Sequence, residues 1–339
     1  MQAKEVSVGI ADLAIYAPER VLTAGEISKT SGIPEAVLIE KFGLKEKRIS
    51  HPDEHVTEMC ISAARPLVER KGASEIDAVI YFGSHWKDYL VWQAAPKIQY
   101  ALGIEGFAIE TINVSAGAPV ALRVAADMLR AESRLRSILI VAASKESYLL
   151  DYSDDASRFM FNFGDGAVAA LLSRDHDENR VLSTSILTDG SFADHVRVSG
   201  GGSVAPTSQD TVEQGLHQLG LHDGYEMKRR LDPITLKNFI EVTRECVEES
   251  GLSIDDIDFL LPIHFKRSLH DHVLTELGLT DEQSIYLDSF GHMSAVDPLF
   301  ALTLARDSGK LKDGDNIVLL AAGTGYTWAA SLVTWGKPA

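Results

Sequence analysis

The chain has 339 residues and a formal charge of −17, from 32 Lys and Arg against 49 Asp and Glu. Apolar residues make up 45% and charged residues 24%, the balance of a soluble globular enzyme, which excludes a disordered, collagen-like or coiled-coil chain. The acidic balance, with no run of five or more Lys and Arg, argues against nucleic acid and anionic membrane as partners, because phosphate backbones recruit the opposite sign. Local basic patches remain free to hold a CoA or an acidic carrier.

The first residues, Met1-Gln-Ala-Lys-Glu-Val6, contain no apolar segment of a secretory leader. Residues 6–15 read as a strand and 57–70 as an amphipathic helix. A strand follows at 78–83, a helix at 118–131, and strands at 137–143 and 167–172. The apolar run 138–143 is far short of the roughly 18 residues needed to span a bilayer. Residues 189–211, with Ser199-Gly-Gly-Gly-Ser203 inside, are the loosest stretch and read as a surface loop or insertion. Residues 236–250 read as a further helix. Cys60 and Cys246 lie in helical stretches and form no CxxC pair, so no thiolate metal site is legible. Two cysteines in a chain of this length fit a reducing, cytoplasmic setting.

Strands alternating with helices imply an α/β layered architecture around a buried sheet. The chain also repeats itself. A strand at 76–83, a segment at 108–114, a helix starting near Ser115 and a strand at 137–144 have counterparts later. These are a strand at 257–263, a segment at 284–288, a helix starting near His292 and a strand at 316–321. The expected halves are 1–175 and 176–339. Ser115 and His292 fall at matching strand-to-helix junctions, and His264 closes a strand. Ligands of open α/β sheets gather at such strand ends, so the three side chains are expected to converge.

Several motifs stand in a telling order. They are Phe42-Gly-Leu-Lys-Glu-Lys-Arg-Ile49, Trp92-Gln-Ala-Ala-Pro-Lys-Ile-Gln-Tyr-Ala-Leu-Gly103, Ile112-Asn-Val-Ser-Ala-Gly117, Phe163-Gly-Asp-Gly-Ala167, Pro262-Ile-His264, Gly291-His-Met-Ser-Ala295 and Gly323-Thr-Gly-Tyr-Thr-Trp328. Through nearly the whole chain this series resembles the thiolase superfamily, in particular its ketoacyl-ACP synthase III branch. The resemblance implies a thiolase-like α/β fold of two duplicated βαβαβαββ halves in a five-layered αβαβα body. It also implies a homodimer, a CoA or acyl-carrier-protein thioester as substrate, and no cofactor or metal. The family's Cys-His-Asn becomes Ser115, His264 and His292. Its oxyanion hole maps to the backbone N–H groups of Ser115 and Thr324, with Gly323 and Gly325 allowing close approach. Its adenine-stacking aromatic falls at Val37 and a nearby Arg at Lys41. A second clamp residue falls at or beside Ser157, next to Arg158. The loop carrying Trp86, Tyr89, Val91 and Trp92 maps to a segment that approaches the neighbouring subunit's acyl pocket. Lys41, Arg158 and Trp92 are the expected substrate contacts.

A hydroxyl at a helix N-terminus gains less from the macrodipole than a thiol and needs an adjacent general base. His264 or His292 is expected to take the Ser115 proton, the other orienting it or donating to the substrate. Standing alone, Ser115 would read as a helix cap, His264 as a packed histidine and His292 as a capping residue. His270 and His272 after His264 match no metal spacing. Phe163-Gly-Asp-Gly-Ala167 lacks GxGxxG, and its Asp-Gly reads as a hairpin turn. The expected activity is acyl transfer from a thioester through an acyl-Ser115 ester to an acceptor, in polyketide, secondary-metabolite or fatty-acid-type biosynthesis. Two alternatives stand beside it: decarboxylative condensation with a malonyl carrier, and an inactive partner subunit of an active paralogue.

Overall fold

The structure is a computed structural model and describes residues 6–337. Strand β1 (Val8–Tyr16) is followed by a small ribbon, β2 (Val21–Thr23) and β3 (Glu46–Arg48), flanking α1 (Ala24–Ser31) and α2 (Glu35–Glu40). Next come α3 (Val56–Lys71), β4 (Ala78–Tyr81), α4 (Ala94–Ala101), β5 (Phe107–Glu110), α5 (Gly117–Ala131), β6 (Ser137–Ser144) and β7 (Gly166–Arg174). The second series opens with β8 (Arg180–Thr188) and an insertion of β9 (Val196–Val198), α6 (Gln209–Glu213) and β10 (Leu219–Leu221). It continues through α7 (Gly224–Glu249), β11 (Phe259–Pro262), α8 (Arg267–Glu276), α9 (Asp297–Asp307), β12 (Asn316–Gly323) and β13 (Thr327–Thr334).

The large sheet runs β11-β12-β13-β8-β1-β7-β6-β4-β5. Outward from the central β1–β8 contact, the two sides carry the same order and senses. β1 and β7 are antiparallel, β7 and β6 antiparallel, β6 and β4 parallel. β8 and β13, β13 and β12, and β12 and β11 repeat that series. Beyond β11, a parallel bridge from Leu260 to Ser284 stands where β5 stands beside β4. Gly9 makes the central join possible, since a Cβ there would lie 2.1 Å from the Glu178 carbonyl oxygen.

The layers follow from the burial pattern. β6 is apolar on both faces, as a strand covered on both sides must be. One face of β4, β6 and β7 packs on α3 and α4 through Val79, Leu139 and Ala169. The other face packs on α5 and α9 through Ile80, Ile138 and Ala170. On the far side, Leu261 and Leu319 meet the same two helices, while Leu260 and Val318 meet α7 and α8. In α5 the buried residues Ala118, Ala121, Leu122, Ala125 and Leu129 recur at helical spacing, and the alanines let it fit between strands. α9 buries Leu299, Phe300, Ala301 and Leu302 in succession, because sheet or helix lies on every side.

Three expectations change. The helix expected at 236–250 starts at Gly224 and runs through Pro233, its first turns being surface turns with little apolar periodicity. Asp165 is not in a hairpin turn. It is fully buried, its carboxylate accepts from Ser50 and Ser147, and Gly164 and Gly166 sit against the Phe290 carbonyl and Met293. The expected surface loop at 189–211 folds back over a cavity, described below.

Candidate functional site

The 3-10 turns Val114–Ala116 and Ser294–Val296 precede α5 and α9 at equivalent places. Val114 (φ 43°) and Ser294 (φ 55°) both adopt the left-handed region, rare for residues with a side chain, and turn the chain sharply into each helix. Ser115 is thereby matched to Ala295 and His292 to Ile112, three residues off the equivalence read from sequence. The offset matters, because it puts the serine and the histidine face to face rather than related by the repeat.

The Ser115 hydroxyl donates to His292 Nε2 at 2.8 Å. On the other side of the ring, His292 Nδ1–H donates to Asp297 Oδ2 at 2.6 Å. A carboxylate only accepts, so the proton lies on Nδ1 and Nε2 offers its lone pair to the serine. Asp297 opens α9, is fully buried, and also accepts the backbone N–H groups of His264 (2.7 Å) and Met293 (2.7 Å). The helix N-terminus supports its charge. Burial alone would lower the His292 pKa. The charge and hydrogen bond of Asp297, with the charge of Glu146, outweigh it and raise the pKa above the ordinary imidazole value. The result is a buried hydroxyl–imidazole–carboxylate chain able to carry a proton from Ser115.

His264 is close by in the fold, but its ring is engaged elsewhere. Nε2–H donates to the Gly43 carbonyl at 3.1 Å, and the Asn162 amide donates to Nδ1 at 2.9 Å. Its ring stacks on Tyr286, and burial drops its pKa to about 4, so it is neutral. Of the two histidines expected to share the serine's proton, only His292 contacts the hydroxyl.

Ser115 and Thr324 line a cavity of about 490 Å³. Its inner wall includes Ser84, Val114, Glu146, Leu149 and Phe163. Its outer wall comes from the 189–221 insertion, with Val196, Arg197, the glycines 200–202, Thr207, Thr211 and His217. Gly323 brings β12 against the serine turn, where a Cβ would lie 2.8 Å from the Asn113 carbonyl oxygen and 3.2 Å from Ser115 N. That approach sets Thr324 beside Ser115. Gly325 (φ 136°) stands in open space within the same turn.

The remaining expected contacts lie outside that wall. Lys41 is exposed at the end of α2, and Val37 packs in the small cluster beside Leu38. Arg158 is exposed on the turn Asp155–Met160, and the Ser157 side chain lies outside the described residues. Trp92 packs edge-on against Tyr89, with the Lys97 ammonium over its ring, while Trp86 and Leu90 of the same loop reach the cavity. Sequence reasoning passed over Asp297, Asn162, Glu146 and the insertion residues. An Asp before Pro298 at a helix start carries a signal for capping alone, and Asn162 and Glu146 stand in no motif. Among the described residues, no group of three His, Cys, Asp or Glu is placed to hold a metal. No helix among them is long and apolar enough to cross a membrane.

Comparison with known proteins agrees with this architecture. The family 3-oxoacyl-[acyl-carrier-protein (ACP)] synthase III matches residues 109–190, and its C-terminal counterpart matches 247–335. A β-ketoacyl-[acyl-carrier-protein] synthase III of Syntrophomonas wolfei is 31% identical over 326 residues, 94% of this chain and 95% of that protein. The β-ketoacyl-[acyl carrier protein] synthase III of Thermus thermophilus superimposes with a TM-score of 0.83 at 27% identity, covering 97% of this chain and 99% of that one. The priming β-ketosynthase of the R1128 polyketide pathway superimposes equally well (TM-score 0.83, 100% and 99% coverage), and at 23% identity it speaks to the fold alone. The chain therefore belongs to the 3-oxoacyl-ACP synthase III family of the thiolase superfamily, enzymes of acyl transfer and condensation.

Proposed function

We propose that this protein transfers an acyl group from a CoA or acyl-carrier-protein thioester to an acceptor through an acyl-Ser115 ester. Ser115 is the nucleophile, His292 its general base and Asp297 the orienting carboxylate. The carrying observation is the continuous chain Ser115 Oγ to His292 Nε2 (2.8 Å) and His292 Nδ1 to Asp297 (2.6 Å). Ser115 Oγ attacks the thioester carbonyl as its proton passes to His292. The backbone N–H groups of Ser115 and Thr324 hold the oxyanion. The C–S bond breaks, and the thiol leaves with the proton from His292. An acceptor hydroxyl or amine then repeats the sequence in reverse and restores the serine.

The cavity and its insertion supply the donor and acceptor space. The family's adenine clamp is altered at Val37 and Lys41, which supports a carrier-bound donor over free CoA. A specialised pathway of polyketide or secondary-metabolite type, and a homodimer, are part of this reading.

Family membership favours decarboxylative condensation as a second reading. Condensation needs two donors on the malonyl thioester carbonyl. Here the His264 Nε2–H is held by Gly43, and His292 Nε2 accepts from Ser115, which favours transfer. Intact mass after incubation with a panel of acyl-CoA and acyl-carrier donors tests both. A gain equal to the acyl group, absent in Ser115→Ala, is the expected result. CO₂ release with malonyl carrier from the trapped species would establish condensation instead. No adduct with any donor would overturn the acyl-serine and favour a supporting subunit.

A further inference from the structure

The site rests on a buried cation that the acyl-transfer steps do not use. Lys47, in β3, is fully buried. Its ammonium donates to the carbonyls of Phe161 (2.8 Å) and Phe163 (2.5 Å) and lies 5.1 Å from the centre of the Tyr152 ring. The neighbouring carboxylate, Asp165, is occupied by Ser50 and Ser147. A buried lysine without a carboxylate bonded to it is costly, and burial drops its pKa to about 7.

What the cation holds explains why it is there. Residues 161 and 162 form a turn closed by the Phe163 N–H to the Met160 carbonyl. The carbonyls of Phe161 and Phe163 accept from Lys47, and that of Asn162 between them accepts the His292 N–H at 2.8 Å. Gly164 N–H returns a bond to the His292 carbonyl at 2.9 Å. The Phe163 ring stands edge-on to the imidazole, centroids 5.0 Å apart. The Asn162 side chain fixes His264. Gly291 lets these strands touch, since its Cβ would lie 2.3 Å from the Asn162 oxygen and 3.0 Å from Lys47 Cβ. Segment 161–164 is thus bonded to Lys47 through two carbonyls and to both histidines through Asn162 and Gly164.

We infer that Lys47 is a positioning residue, which through the Phe161 and Phe163 carbonyls sets the His292 imidazole against Ser115. The inference rests on the acyl-serine reading for its consequence, while its structural half stands apart from it. With an apolar side chain at 47 the two carbonyls lose their donor, and the segment shifts to find another.

The test compares wild type, Lys47→Met and Lys47→Gln, each well below its own melting temperature, with Ser115→Ala alongside. Ser115 acylation is followed by intact mass, and the His292 ring by nitrogen chemical shifts. Lys47→Met should acylate about ten- to a hundred-fold more slowly, the cost of a small misplacement of a reacting group. The donor concentration at half-maximal rate should stay within about two-fold of wild type. Lys47→Gln, with donors for the carbonyls, should fall between. Both variants should shift the His292 ring nitrogens while remaining folded. Wild-type rates with unmoved His292 resonances would overturn the proposal, and so would loss of folding in both variants, which would make Lys47 a stability element only. If wild type itself forms no adduct, the acyl-serine reading fails. The His292 shifts in the variants then still decide the positioning claim.

Discussion

At the scale of single residues, replacing a thiol by a hydroxyl moves the burden of catalysis onto a base. A cysteine at a helix N-terminus is partly ionised by its setting, whereas a serine is not. In the proposed acyl-serine reaction Asp297 answers that need: it fixes the His292 tautomer and raises its basicity. His292 must be neutral to accept the serine proton, and its pKa is raised. Acylation should therefore climb with pH through a midpoint above the ordinary imidazole value of 6.5. Asp297→Asn should lower the acylation rate by about four orders of magnitude, as loss of the orienting carboxylate does in such triads. It should also move the midpoint down. Stopped-flow acylation against pH reads both, and an unchanged midpoint would remove Asp297 from the role. His264 has the opposite character, neutral and tied to Gly43 and Asn162.

Among elements, the end of β12 and the start of α8 carry testable consequences. Gly323→Ala puts a methyl where 2.8 Å separates its position from the Asn113 oxygen, so β12 or the serine turn must give way. The variant should lose about 1–3 kcal/mol in denaturant unfolding. It should also slow acylation, because Thr324 moves with the strand.

α8 carries His270, buried between Tyr286 and Phe265, with no hydrogen-bond partner on either ring nitrogen. Burial drops its pKa and that of His264 to about 4, against an ordinary imidazole value of 6.5. Between those values the unfolded chain binds more protons than the folded one. Stability from this source is complete above pH 6.5 and is lost as pH falls toward 4. His270→Phe should keep or raise stability at neutral pH and flatten that acid limb by about one proton. Urea midpoints across this range check it, and an unchanged slope would contradict the assignment.

For the whole molecule, the sheet ends at β5, which pairs with β4 on one side. Its Phe107 is 44% exposed, and Tyr100 on the preceding helix is 85% exposed. An outer strand beside exposed aromatics is a template for pairing with a second copy, and proteins otherwise protect such edges. Light scattering should give twice the 36.9 kDa chain mass. Phe107→Lys should shift the protein toward monomer, and a monomeric wild type would remove the homodimer from the proposed function. The duplicated halves fit this organisation. The serine comes from the first half, and both histidines and the aspartate from the second, so the hydrogen-bonded chain exists only when the halves are joined through α5 and α9.

The sequence by itself determined the architecture, because alternating apolar strands and periodic helices report burial locally. β6 and α5 stand close to where their patterns put them. It also singled out Ser115 and His292, since their motifs sit at junctions whose backbone is shared across the repeat. Tertiary structure decided which groups meet across the fold. Asp297 reads in sequence as a helix-capping acid; its bond to His292 closes locally over the turn Ser294–Val296, while Ser115 and the His264 N–H reach this pair only through packing. His264 was equally legible as a base, and the fold bonds its ring to Gly43 and to Asn162, 102 positions away in the chain. The loop at 189–211, polar and glycine-rich, looked like surface until β9 and β10 brought it over the cavity. Periodicity records which face of an element is buried. Which side chains exchange a proton depends on distances of a few tenths of an ångström between segments, and no local pattern encodes these.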